Sequence, residues 1–290
     1  MKHEQMQTST TNGNEPTVAI DLLIDSCLAL GTVLGAIAGY RRYLRQYTSV
    51  ESIPHSVFKR RWLYGKATSV GDGDNLRFYH MPGGLLGGWG IFREVPVLER
   101  QQVKARSNNR TTTTSKRRNK TQGGFRQWLS GLFRTRKTRE KQLSSYYLNL
   151  EVPYKNRRNL PTISVRLSGI DAPERAHFGN EKQPFSDEAL NWLQHKVLGR
   201  TIWIKPLSVD QYGRCVARAA YWSWLGGWKD VSLEMIKEGL AVVYEGKTNA
   251  QFDGQEQKYR FHESVAKSRR KGMWIQRKVE TPGQYKKRHR

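Results

Sequence analysis

The hydrophobic pattern divides the chain into an unbroken apolar run, a stretch nearly devoid of apolar positions, and a series of short alternating segments. The run is Ser26 to Tyr40, SCLALGTVLGAIAGY, uncharged throughout and extended back to Leu22 if Asp25 is accepted near an interface. At ideal helical rise it spans roughly 22 to 28 Å, close to the thickness of a hydrocarbon core. Its one periodic feature is Gly31, Gly35 and Gly39, with no polar stripe of the kind that marks an amphipathic helix. Arg41, Arg42 and Arg45 follow directly, where long basic side chains reach the headgroup level. This predicts a single-pass membrane anchor over 22–40, after a disordered start at 1–21 and before a basic linker at 41–61. The bulk of the protein is expected on the arginine side.

Beyond the linker the period changes. Residues 70–80, 162–170, 201–207 and 215–224 read as strands. Phe185, Ala189 and Trp192 or Leu193 share one face of a helix over 185–198, which Gly199 stops. Asp230 opens a second helix through Glu238, and Asp253 with Glu256 three residues later forms a capping box for a third, running to about Arg270. Short strands with peripheral helices predict an α+β fold, centred on a partly open five-stranded Greek-key barrel of the OB type.

Charge changes the picture in the middle of the chain. Residues 99–142 hold fourteen Lys and Arg against Glu99 and Glu140, and this composition buries too little apolar surface to offset the cost of ordering the backbone. A disordered basic insertion is expected there, and a solvated basic tail at 276–290. Over all 290 residues, 50 Lys and Arg face 25 Asp and Glu, a formal charge of +25 that asks for a polyanionic partner, either phosphate backbone or anionic lipid. The first 25 residues carry one lysine against four acids, which fits neither a transit peptide nor a secretory signal. Two cysteines, Cys27 and Cys215, exclude a disulfide-stapled secreted scaffold.

Three stretches concentrate candidate chemistry: Val70-Gly-Asp-Gly-Asp74, Arg166-Leu-Ser-Gly-Ile-Asp-Ala-Pro-Glu174 and Asp210-Gln-Tyr-Gly-Arg214. A D-G-D sequence is ordinarily a solvated turn. In the second stretch a strand ends in Asp171, and Pro173 turns the chain so that Glu174 comes back towards the same place. Arginine beside Asp and Glu on one strand face reads equally as an ion-pair network or as a phosphate site. His177, close in sequence to Glu174, reads as a solvated loop residue, and most of the tryptophans as core or sheet surface.

In combination, D-G-D, R-x-L-x-G-I-D-A-P-E, D-x-Y-G-R, Leu240-Ala241 and Gly272-Met-Trp274 resemble the staphylococcal-nuclease-like (thermonuclease) family, from Trp62 to about Ile275 with the basic insertion removed. The apolar segment before RRYLR, SVGDGDN, and the HFG and QPFS stretches are similar in particular to the membrane-anchored mitochondrial endonucleases of fungi within that family. The resemblance implies that Arg166 and Arg214 clamp a phosphate and that Glu174 is the general base. It implies a calcium site made by Asp171, Asp74 and the backbone carbonyl of Ala172, supported by Asp72 through water, with Tyr212 and Tyr244 bordering the substrate groove. Asn75 stands where the family usually has Thr. The acidic turn and the catalytic strand lie unusually far apart in sequence, yet their ends must meet. The activity implied is calcium-dependent endonucleolytic cleavage of DNA or RNA with low sequence specificity, by a single-pass mitochondrial membrane protein. No protein partner is implied, and a monomer is expected. The competing reading is a non-catalytic OB module that grips nucleic acid at a membrane; a surface organiser binding anionic lipid through its basic insertion is a third.

Overall fold

A computed structural model describes residues 15–101, 136–176, 179–246 and 250–288. Of the start expected to be disordered, 1–21, residues 1–14 lie outside the described residues and residues 15–21 are instead helical, continuous with the apolar run; most of the basic insertion, 102–135, and His177 also lie outside the described residues. The chain separates into two units, one up to Arg45 and one from Gln46 onward.

The first unit is a helix, α1 (Glu15–Gly39), continued by a π-type turn over Tyr40–Leu44 in which the Arg45 N–H donates to the Tyr40 carbonyl at 2.9 Å. Leu22–Leu44 is long and apolar enough to cross a membrane, with a mean hydropathy of 1.9. Its 23 residues extend about 34 Å at ideal rise, more than the sequence run alone suggested. Leu22, Leu28 and Leu34 are exposed, which suits a lipid environment and not the core of a soluble domain.

The second unit begins immediately. Residues 46–61, expected to be linker, instead place Tyr47, Val50, Ile53 and Val57 in the hydrophobic core. The Tyr47 N–H donates to His80 Nδ1 at 3.0 Å and the two rings stack at 4.9 Å. What looked like a spacer is a strap packed on the barrel.

The barrel is built from β1 (Leu63–Asp72), β2 (Asn75–His80), β3 (Ile163–Leu167), β5 (Thr201–Val209) and β6 (Cys215–Ser223). They run in the order β3-β2-β1-β5-β6, and a parallel pairing of β3 with β6 closes the ring. β7 (Gly227–Asp230) extends β6 as a hairpin, while β4 (Ile170–Asp171) pairs with β8 (Val242–Val243) in a separate two-stranded ladder. Alternation drives the filling: Ile163, Val165 and Leu167 of β3, Ile202 and Ile204 of β5, and Cys215, Ala217 and Ala219 of β6 are buried. Pro206 sits where the β5–β6 register shifts, a bulge that accommodates a residue unable to donate to the ladder. The expected strand over 70–80 is in fact the β1–β2 hairpin, because the glycines of the D-G-D stretch turn the chain inside the apolar run.

The helices are α2 (Arg136–Leu148), α3 (Ser186–Val197), α4 (Val231–Glu238), α5 (Glu256–Ser268) and α6 (Pro282–Arg288). Two were not expected. α2 lies at the end of the basic stretch, where Tyr147 is buried, Ser144 hydrogen-bonds Glu188, and the Tyr147 hydroxyl donates to Glu238 at 2.9 Å. α6 replaces the solvated tail. Asp230 caps α4 by accepting the Leu233 N–H at 3.1 Å, as expected. Asp253 does not cap α5: its carboxylate is held by Lys205 at 2.8 Å and Arg218 at 3.3 Å.

His80 is 3% exposed, and burial, followed by the charges of Arg61 and Arg93, holds its pKa down at about 3. Unfolded chains bind a proton here from about pH 6.5 downward and the folded chain does not, so stability is complete above pH 6.5 and is lost as the pH falls below it. Between pH 6.5 and 5 this group is expected to cost about 2 kcal/mol. Denaturant unfolding of the wild type and His80→Gln at both pH values checks it: the difference in pH sensitivity between the two proteins is the contribution of this residue.

Candidate functional site

The inward alternation of β3 sends Arg166 to the outer face, where its backbone pairs in register with Asn75 of β2. The Leu167 N–H donates to the Asp74 carbonyl at 2.9 Å. The acidic turn and the arginine strand, far apart in sequence, are therefore adjacent backbones. Gly169 then takes φ of 73°, a left-handed turn that leads into β4, and a Cβ there would stand 2.8 Å from the Phe252 ring. Gly73 packs the acidic turn against the end of β4, since a Cβ on it would lie 2.6 Å from that of Ala172.

These turns place two carboxylates on one guanidinium. Arg166 Nη2 is 3.0 Å from Asp171 Oδ1 and 3.7 Å from Asp74 Oδ2. Burial works against the Arg166 charge, but Asp74 and Asp171 outweigh it and raise its pKa above the ordinary arginine value. Asp74 is less well compensated. Burial first, with the charges of Asp171 and Asp72 adding to it, lifts its pKa to about 7 against the pull of Arg166 and Lys286. A buried carboxylate in this condition favours a nearby cation.

The second arginine arrives from the β5–β6 turn. Arg214 Nε donates to Asp210 Oδ2 at 2.7 Å and Nη1 to Asn75 Oδ1 at 3.1 Å. Asn75 thus stands between the two arginines, paired with one through the backbone and bonded to the other through its side chain. Tyr212 and Tyr244 each lie against a guanidinium, Arg214 and Arg166 respectively, both at 5.2 Å from the ring centre. Each ring thus lies within cation–π range of its fork.

Glu174 is positioned by a side chain the sequence reading did not single out. Gln183, 4% exposed, accepts the Glu174 N–H at 2.9 Å and donates its own backbone N–H to the Glu174 carbonyl at 2.8 Å. A second unanticipated residue is Lys286, on α6. Its ammonium lies 2.9 and 3.0 Å from the two Asp171 oxygens and 2.8 Å from Glu174 Oε1. A signal for α6 does exist in the sequence: Thr281-Pro-Gly-Gln284 is a capping box with proline at the first helical position. The structure forms it, with the Thr281 N–H donating to Gln284 Oε1 at 3.0 Å and the Gln284 N–H to Thr281 Oγ1 at 3.3 Å.

A cleft of about 660 Å³ collects these groups. Asp74, Arg166, Asp171, Glu174, Tyr212, Arg214 and Tyr244 all line it, as does Lys286. Ala172 is buried beside Asp171 and is not part of the cleft wall. Among the described residues no three Asp, Glu, His or Cys side chains close round one ion. A cation here would rest on the Asp74 and Asp171 carboxylates, completed by backbone oxygen and water. That all-oxygen donor set suits calcium and not zinc, and the ammonium of Lys286 against Asp171 shows that a positive charge fits there.

Comparison with known proteins follows the same residues. Residues 164–276 match the family model described as Staphylococcal nuclease homologue, a span that includes Arg166, Asp171, Glu174 and Arg214 but neither Asp74 nor Lys286. The chain is 54% identical over 268 residues to the Probable endonuclease LCL3 of Saccharomyces cerevisiae strain S288c, covering 92% of this chain and 95% of that protein. It is 53% identical over 272 residues to the protein of that name from Zygosaccharomyces rouxii, covering 94% and 95%. For Kluyveromyces lactis the figures are 52% over 287 residues, 98% and 99%.

Gly73→Ala tests how the acidic turn is seated. The added methyl must push apart the turn and Ala172, at an expected cost of about 1 to 3 kcal/mol. An unfolding midpoint equal to that of the wild type would show that the two segments are not in contact.

Proposed function

The chain belongs to the staphylococcal nuclease family, and we propose that it is a calcium-dependent endonuclease that hydrolyses phosphodiester bonds of DNA or RNA with little sequence preference, tethered to a mitochondrial membrane. The observation that carries this reading is the convergence of two oriented arginines, two cation-seeking carboxylates and Glu174 on one open cleft. A bound calcium ion would polarise the phosphoryl oxygens and offset their charge. The chain's own residues do the rest.

Arg166 and Arg214 present planar donor pairs that match phosphate oxygens bidentately, which lysine could not do. Asp171 and Asp210 hold these forks in place before substrate arrives, so little side-chain freedom is lost on binding. As charge accumulates on the five-coordinate phosphorus, the same donors bind it more tightly than they bind the ground state. Glu174, fixed through its backbone by Gln183, takes a proton from the attacking water. Low sequence preference follows from a site that reads phosphates, which carry no base information. Tyr212, largely exposed at the rim, offers a ring for a base to stack on. The mitochondrial membrane assignment is supported by the Leu22–Leu44 helix with its flanking arginines and by the sequence resemblance already described.

The purified full chain is expected to cut single-stranded DNA or RNA in calcium and to stop on chelation. Arg214→Ala should slow cutting by about 10²- to 10³-fold, and Glu174→Gln should abolish it with binding retained. Tight binding without cutting by the wild type would make the protein a non-catalytic module instead; cutting that survives chelation would remove the cation from the reaction. Carbonate extraction addresses the anchor, since a spanning helix keeps the intact chain in the membrane pellet and its release would reject one.

A further inference from the structure

The ammonium of Lys286 occupies the same carboxylate pocket that the proposed calcium ion would need. It makes three contacts of 3.0 Å or less with Asp171 and Glu174, the cation-holding acid and the general base. This is no stray surface lysine. α6 is fastened to the body on both sides of it. The Tyr285 hydroxyl donates to the Glu181 carbonyl at 2.6 Å, Tyr285 is buried, and Gln183 Nε2 donates to the Glu280 carbonyl at 3.0 Å. Arg288 pairs with Glu280 at 3.1 Å, bracing the helix from its far end. Gln183 therefore joins the backbone of Glu174 to the chain that carries Lys286.

We propose that Lys286 is a built-in competitor for the cation site: its ammonium neutralises Asp171 and engages Glu174, and a divalent ion must displace it before the site can act. The inference rests on the reading that Asp74 and Asp171 hold calcium. Asp171 Oδ1 already accepts from Arg166 at 3.0 Å, and the Lys286 ammonium spans both Asp171 oxygens, so an ion on this carboxylate has to take the position the ammonium fills and would be repelled by it while it stays. The lysine is also 40% exposed along its side chain, so it has water to move into when displaced. Lys286 then sets the calcium concentration at which the nuclease is armed. Its withdrawal frees the Glu174 carboxylate at the same moment, so ion entry and release of the base are one event.

The test is calcium titration calorimetry on the full-length chain in detergent, with Lys286→Met, which keeps the stem and removes the charge, and Lys286→Arg, which keeps the charge. Lys286→Met is expected to bind calcium about two- to fivefold more tightly at unchanged stoichiometry, the range of one partly exposed ion pair. Lys286→Arg should stay near the wild type. Hydrogen exchange should report faster exchange of the 283–288 amides in the wild type once calcium is added. Equal affinities in all three proteins, with exchange over 283–288 unaffected by calcium, would overturn the competition while leaving the calcium site intact. Failure of both the wild type and Lys286→Met to bind calcium would instead overturn the calcium site, and the competition with it.

Discussion

One guanidinium group holds the cleft together. Arg166 draws Asp74 and Asp171 to itself from segments on opposite sides of the basic insertion, and its charge offsets the repulsion between the D-G-D turn and the end of β4. Removing one partner of a buried charge cluster leaves the others unpaired, which is far more costly than the cluster is stabilising. The barrel serves this constraint: β2 and β3 pair so that Asn75 meets Arg166, and closure of β3 on β6 brings Arg214 to the far side of Asn75.

The fold was legible in the sequence wherever local pattern and tertiary context agree. β3 alternates cleanly, α3 carries its apolar face, and Asp230 caps α4 as its position suggested. The site was legible as three motifs, but their mutual geometry came from pairing that no local signal states. Failures had specific causes. A glycine-containing turn inside a run of β-formers read as one long strand. Tyr47, Val50, Ile53 and Val57 are spaced among small polar residues and bracketed by Arg41, Arg42 and Arg45 on one side and Lys59, Arg60 and Arg61 on the other, so a strap on the core looked like a linker. The capping signal at Asp253 was real as a pattern but lost to Lys205 and Arg218, which offer that carboxylate ion pairs instead.

Net charge misled in a different way. Composition made both the 99–142 stretch and the C-terminal residues look solvated, yet each ends in a helix that docks through a tyrosine, Tyr147 in α2 and Tyr285 in α6. In each helix a buried aromatic with a satisfied hydroxyl anchors a segment whose other faces are largely basic, helped by polar contacts such as Ser144 with Glu188 and Lys286 with Asp171. Asn75 shows the complementary case. An amide in place of the family's usual hydroxyl does not leave a gap, because its oxygen reaches the guanidinium of Arg214.

The long excursion between β2 and β3 leaves and rejoins the body at a clasp. Gln101 donates to the Pro153 carbonyl at 2.9 Å, Lys155 donates to that of Glu99 at 2.8 Å, and Arg100 bridges Tyr154. With the clasp and α2 both fixed, the entropy of closing the intervening chain grows only slowly with its length. The register of β2 against β3, and with it the geometry of the cleft, is therefore tied down on the body side of the clasp, by contacts that do not depend on how long a chain runs between the clasp and α2.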